Sequence, residues 1–289
     1  MEVFFWNKPI FILGNPRSGT SLLRLMLDSH NDICIPPESH FFLWLESKFG
    51  RWDMNHMDAY LEDLFNATKF ETWNLDKSAL KEFLVARDIK SYAQLNSLVY
   101  YYYAITKKRQ ITFWGDKNSL WVDKLPQIIK HYPDAFFIHI IRDGRDIACS
   151  YKALNSKKMD SKYAPKLPNN VKEIAEKWSN SVEGIEGFLQ KIDSNKKVQI
   201  YYEDLLSAPK VTLQKVLDIL NLEFLEAQTK YYLKKKNDIE PEAFFAWKEK
   251  LTQPLDNSNV GKYKKELTVN EINDFNRLAE TTLLKHGYL

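Results

Sequence analysis

Cysteine is nearly absent from this 289-residue chain: Cys34 and Cys149 are the two it has, too few for a disulfide framework. Both fall in or beside apolar stretches, which predicts buried thiols rather than reactive ones. Long apolar runs are missing as well. No stretch reaches the roughly 18 apolar residues that a membrane-spanning helix needs, so no span is expected. Residues 1–6 carry no basic leader and run almost directly into the first apolar stretch, which predicts no cleaved signal and a soluble, cytoplasmic protein. An excess of one charge is lacking too, since 41 Lys and Arg face 38 Asp and Glu for a net charge of +3. No arginine-rich stripe with interleaved aromatics appears, which argues against nucleic acid as a partner.

What remains is ordinary globular composition, 44% hydrophobic and 27% charged, with enough length for a sizeable core. No internal repeat or domain boundary is evident, so residues 1–289 are expected to form one domain. Five short strands are predicted at Ile10–Gly14, Asp32–Ile35, Ile111–Trp114, Phe136–Ile141 and Val198–Tyr202. Helical stretches between them predict an α/β fold of three layers, with a parallel sheet flanked by helices. Further helices are expected over Val171–Ile192, Pro209–Leu220 and Phe224–Lys236. A Thr268/Glu271 capping box predicts a last helix running to about His286. Residues 40–110 form a helical, aromatic-rich insertion whose rings, including Trp44, Phe65, Phe70, Trp73, Phe83 and the run Tyr100–Tyr103, mainly pack against the sheet. Any aromatic-lined binding pocket is expected to come from there. Residues 155–170 turn polar and lysine-rich, the pattern of a loop or lid.

One more absence is chemical. Gly14-Asn15-Pro16-Arg17-Ser18-Gly19-Thr20-Ser21 repeats the glycine spacing of a phosphate-binding loop but has Thr20 where a nucleoside-triphosphate enzyme needs lysine. It follows the first strand and precedes the apolar helix flank Leu22-Leu23-x-Leu25-Met26-Leu27. Backbone N–H groups at such a helix start lack intrahelical partners and sit at the positive end of the helix dipole, so they draw an anion. Arg17 adds charge. Without the lysine, and with no evident acidic partner for a metal near Ser21, a metal-free phosphate donor fits better than a γ-phosphate. A second strand, turn and helix run through Phe136–Ile141 into Arg142-Asp143-Gly144-Arg145-Asp146, and Ser150 lies eight residues after Arg142. An arginine at a strand end and a hydroxyl beyond it suit a second phosphate. The plainer alternative for Arg142 is a surface ion pair with Asp143.

With these motifs in place the chain resembles the sulfotransferases that use 3′-phosphoadenosine 5′-phosphosulfate (PAPS) and release adenosine 3′,5′-bisphosphate (PAP). The loop Pro16–Ser21 resembles that family's 5′-phosphosulfate loop, with Arg17, Ser18, Gly19, Thr20 and Ser21 as donor contacts. Arg142 and Ser150 resemble its 3′-phosphate pair, while Tyr202-Glu203-Asp204-Leu205 and Val260-Gly261-Lys262 resemble two further landmarks. The resemblance makes Tyr202, Gly261 and Lys262 nucleotide contacts. It also implies that Glu38, spaced as in tyrosylprotein sulfotransferases, is the general base, with His40 as the other candidate, and that Lys117 stabilises the bridging oxygen as the bond breaks. A free glutamate, with a pKa near ~4.3, is a weak base for a hydroxyl, so burial or neighbours are expected to raise it. The implied reaction is sulfuryl transfer to a hydroxyl of a sugar, lipid or small molecule, a peptide fitting less well. The alternatives are a phosphate-loop kinase or a non-catalytic nucleotide-binding protein.

Overall fold

The computed structural model describes residues 6–107, 109–118, 124–157, 159 and 161–289. The expectation for residues 1–5 lies outside these, as do positions 158 and 160 of the predicted 155–170 loop. The apolar run after Pro9 forms β1 (Ile10–Leu13), fully buried, and leads through the glycine loop into α1 (Thr20–Asp28). Next come β2 (Ile33–Cys34) and the insertion, which is built from α2 (Phe41–Phe49), α3 (Met57–Asn66), α4 (Lys77–Val85) and α5 (Tyr92–Thr106). Then follow β3 (Phe113–Lys117), α6 (Leu125–His131), β4 (Phe136–Ile141), α7 (Gly144–Asn155), α8 (Val171–Leu189) and β5 (Lys197–Tyr201).

The five strands are parallel, in the order β2-β3-β1-β4-β5. Phe11 pairs with Asp116 on one side and with Phe137 on the other. Alternate residues of β1 face opposite layers. Ile10 and Ile12 pack with α1 residues such as Leu23 and Met26, whereas Phe11 and Leu13 join Trp114, Phe137 and the aromatic insertion. Within the insertion, Phe41, Phe70, Trp73 and Tyr100 make edge-on or tilted ring contacts with centroids 5.2–5.6 Å apart. The chain leaves β1 toward β2 and leaves the adjacent β4 toward β5. Between them is a topological switch point, where open parallel sheets form a crevice at the carboxyl ends of their strands.

Three expectations need correcting. β3 extends beyond Trp114 through Gly115-Asp116-Lys117, because the buried Asp116 and Lys117 are held by Tyr100 and Glu38 rather than by apolar packing. Phe224–Lys236 is not a helix. It forms separate single turns at Glu226–Gln228 and Tyr231–Leu233, the first closed by Gln228 Oε1 accepting from the Leu225 N–H at 3.0 Å. They follow α9 (Tyr202–Ser207) and α10 (Pro209–Leu220) and lead to α11 (Lys236–Ile239), α12 (Phe245–Lys248) and α13 (Tyr263–Glu266). The Thr268/Glu271 capping box is present, but its helix breaks at Ala279 into α14 (Val269–Leu278) and α15 (Glu280–Lys285), with Phe275 and Leu283 both in the cluster around Trp178. Cys34 and Cys149 are buried and free. Among the described residues no helix is long and apolar enough to cross a membrane.

Candidate active site

Gly14 and Gly19 shape the first loop. A Cβ on Gly14 would lie 2.7 Å from the carbonyl oxygen of Ile140, and Gly19 has φ +96° with Tyr202 against it, so a side chain fits at neither. Gly19 caps α1 without a side-chain hydrogen bond, and Gly19, Thr20 and Ser21 line a cleft of about 360 Å³. Ser18 is different. Its N–H and its hydroxyl both donate to the Asn15 carbonyl, at 3.1 and 2.7 Å, so it braces the loop from within.

Arg17 takes a left-handed backbone (φ 69°), an unfavourable conformation for a residue with a Cβ that recurs at functional sites. Its side chain is thereby placed to donate to Ser150 Oγ (3.2 Å) and to the Trp247 carbonyl (3.1 Å). Arg142 lies alongside. Its guanidinium packs over the Tyr202 ring at 4.5 Å and donates to the carbonyls of Arg17 (3.0 Å) and Asn259 (2.7 Å), leaving Nε buried without a partner. Burial, and then the Arg142 charge, push the Arg17 pKa down to about 10. The buried Arg142 and half-buried Arg17 guanidiniums beside an uncapped helix start are suited to an anion. Asp143 pairs with Arg145 at 2.8 Å, so the simple surface pair with Arg142 is not what forms.

Arg142, Ser150, Tyr202 and Lys262 all line the same cleft, together with Trp247, Lys248 and Lys157. The Gly261–Lys262 loop is held there by Asp146, which accepts from the N–H groups of Gly261 (2.7 Å) and Tyr263 (3.0 Å). Gly261 itself, at φ +69°, provides this turn rather than a wall of the cleft.

Glu38, Lys117 and His40 form a second cluster. Glu38 follows β2, and both Lys117, at the end of β3, and Lys69 donate to its carboxylate, while His40 Nε2 lies 3.2 Å from Oε1. These three side chains are not cleft walls, but Lys248, which is one, acts electrostatically on Glu38 and on Lys117. The expected upward shift of Glu38 is overturned here. Burial does oppose its charge, but Lys117 together with His40, Lys69 and Lys248 outweighs burial and holds the carboxyl well below its usual range. His40 is stacked edge-on against the half-exposed Trp44 (4.8 Å), and its Nδ1 is buried without a partner. Phe244, whose ring Lys69 faces at 5.6 Å, also meets the edge of Tyr163 (5.6 Å), and the neighbouring Ser161 Oγ donates to the Ala243 carbonyl (3.0 Å) while Lys162 reaches Glu71 (2.8 Å). The predicted lid segment therefore ties the insertion to the chain around α12.

Sequence reasoning missed several members. Lys69 is set, like Arg17, by a left-handed backbone (φ 69°), for which the sequence offers no signal. Arg24 is the unassigned position in the apolar flank of α1, only 2% exposed, and a charge in an otherwise buried helix flank is a readable signal. It donates to the fully buried Glu240 at 3.0 Å, and Lys248 meets the same oxygen at 3.1 Å.

A five-stranded parallel sheet with a glycine loop at its switch point, opening onto a helix start beside Arg17 and Arg142, defines an α/β domain of phosphate-loop type. Residues 9–226 match the sequence profile of the sulfotransferase family, and the chain belongs to that family. It is 27% identical to nodulation protein NoeE of Sinorhizobium fredii, over 95% of this chain and 64% of that protein. It is also 24% identical to the protein-tyrosine sulfotransferase of Drosophila melanogaster, over 78% of this chain and 41% of that protein, and 25% identical to protein-tyrosine sulfotransferase 1 of Danio rerio, over 78% and 57%. The chain thus spans about four- to six-tenths of the length of these curated relatives. The fold resembles the sulfotransferase domain of the curacin biosynthetic pathway (TM-score 0.60, 21% identity, 95% of this chain and 97% of that one). It likewise resembles a mouse sulfotransferase complexed with PAP (TM-score 0.51, 14% identity, 97% and 85%).

Proposed function

We propose that the chain moves a sulfuryl group from PAPS to a hydroxyl acceptor. The observation that carries this reading is the meeting of a carboxylate and an ammonium, Glu38 and Lys117, from two different strand ends beside an anion cleft. Sulfuryl transfer asks little covalent work of a protein and much positioning of charge. Glu38 accepts the acceptor's proton as the new S–O bond forms. The old S–O bond breaks with its electron pair going to the phosphate oxygen, where Lys117 stabilises the developing charge, and PAP leaves. The open amides of α1, with Thr20, Ser21 and Arg17, hold the phosphosulfate, while Arg142, Ser150 and Lys262 hold the 3′-phosphate and Tyr202 supports Arg142. The unpartnered Arg142 Nε fits this role, being a buried donor that lacks an acceptor.

His40 serves to orient Glu38, to which it is already hydrogen-bonded. The acceptor in this reading is the hydroxyl of a sugar, lipid or small molecule. The test is turnover of PAPS with a panel of hydroxyl acceptors. Because Thr20 occupies the loop position of a triphosphate-handling lysine, turnover is expected to survive saturating EDTA. A strict magnesium requirement with ATP consumption would point to a kinase instead.

A further inference from the structure

Lys248 is a buried lysine that the roles above leave unused. It is 8% exposed, yet it lines the donor cleft with Arg17, Thr20 and Ser21. Its backbone neighbour, the Trp247 carbonyl, accepts from Arg17 at 3.1 Å, so the segment that carries it is tied to the phosphosulfate loop. Its ammonium lies 4.9 Å from the centre of the Phe244 ring, and Lys69 lies 5.6 Å from the same ring. Glu240 is its carboxylate partner, but Arg24 bonds the same Oε1 at 3.0 Å. Lys248 can therefore let go of Glu240 without stranding a buried charge. An uncompensated buried carboxylate would be costly, and Arg24 prevents that.

Resting on the function proposed above, we infer that Lys248 is a further catalytic residue, a second ammonium, paired with Glu240 in this structure, that turns to the sulfuryl oxygens when the donor binds. Among the described residues, Lys69, Lys117, Lys248 and Arg24 pair with two carboxylates, Glu38 and Glu240, while Asp28, which also acts on Arg24, is paired with Arg109 and Lys234, so positive charge is in excess in this centre. The doubly charged phosphosulfate supplies the missing counter-charge. The groups acting on Lys248 are Glu240, Lys117, Glu38 and Arg24, and burial above all, with Lys117 adding to it, brings its pKa down to about 8. Donor binding replaces that repulsion by attraction and keeps the ammonium protonated.

PAP lacks the sulfuryl group, so it separates this role from a structural one. Calorimetry on K248M with PAP, and with PAPS in the absence of acceptor, is expected to show PAP affinity within about threefold of the parent. Affinity for PAPS should fall about 10- to 100-fold, the worth of one charged hydrogen bond. The parent's kcat/KM should fall above about pH 8 as free Lys248 loses its proton. K248R, which stays protonated, should lose that basic limb. Equal loss of PAP and PAPS affinity in K248M, or an unchanged ratio between them, overturns the inference. So does an unmoved basic limb in K248R, which covers the case in which K248M fails to fold. A parent enzyme that neither binds PAP nor turns over PAPS would sink the function proposed above and this inference with it, a result distinct from the failure of Lys248 alone.

Discussion

Glu38→Gln is expected to lower turnover by about 10²–10⁴-fold, the usual worth of a positioned general base, while PAP affinity stays within a few-fold of the parent. The glutamine keeps the shape and its one carbonyl oxygen can accept from Lys117 or from Lys69, which bond different oxygens of Glu38, but its amide nitrogen is a donor and it cannot take the acceptor's proton. The pH dependence follows from the pairing of Glu38. A carboxyl held below its usual range is already ionised at neutral pH, so the acid limb of kcat/KM, which reports the free enzyme, should lie below the ordinary glutamate pKa of ~4.3. Bound donor draws Lys117 away and brings an anion close, which raises the Glu38 pKa. The acid limb of kcat should therefore sit higher than that of kcat/KM. Rate profiles against pH for both parameters check this, and identical limbs would contradict it. A fully active Glu38→Gln variant beside a dead His40→Ala variant would transfer the base role to His40.

Lys117→Ala should slow turnover by about 10²–10³-fold, the typical cost of removing one preorganised donor to a developing oxyanion. The two defects are distinguishable by which end of the reaction relieves them. A donor with a better leaving group should shrink the Lys117 defect, and a more acidic acceptor hydroxyl should shrink the Glu38 defect. Lys117 is 4% exposed and bonded to Glu38, so its loss leaves the carboxylate with Lys69 and His40. Parallel losses of both variants across leaving groups would mean that one shared disruption, rather than two roles, was measured.

Much of the sheet was legible because buried parallel strands are written as short apolar runs, and all five lie within a few residues of where those runs predict them. The error at β3 came from the same rule. Asp116 and Lys117 read as loop residues because they are charged, yet they are strand residues satisfied by Tyr100 and Glu38. Helices with a clean signal were readable too, and Pro209–Leu220 has the predicted bounds, with its proline in the first turn. The segment after Leu222 was not readable, because single turns closed by local side-chain bonds have no periodicity. At the site, the glycine loop and Arg142 were singled out by their places at strand ends, whereas Glu38 and Lys117 were singled out by the family resemblance and not by any pattern of their own. Lys69, Glu240 and Lys248 were not legible, since tertiary packing alone brings them to the centre. The direction of the Glu38 shift was hidden for the same reason, because two of the cations that set it come from the insertion and from α12.

The measurement that bears most directly on the central claim is calorimetric titration of the protein with PAP and with AMP, repeated on Arg142→Ala. A cleft built for a nucleotide phosphorylated at two places predicts PAP binding tighter than AMP by roughly 1.5–3 kcal/mol for each charged hydrogen bond to the extra phosphate. Most of that difference should vanish in Arg142→Ala. Equal affinities for PAP and AMP in the parent protein would contradict the account.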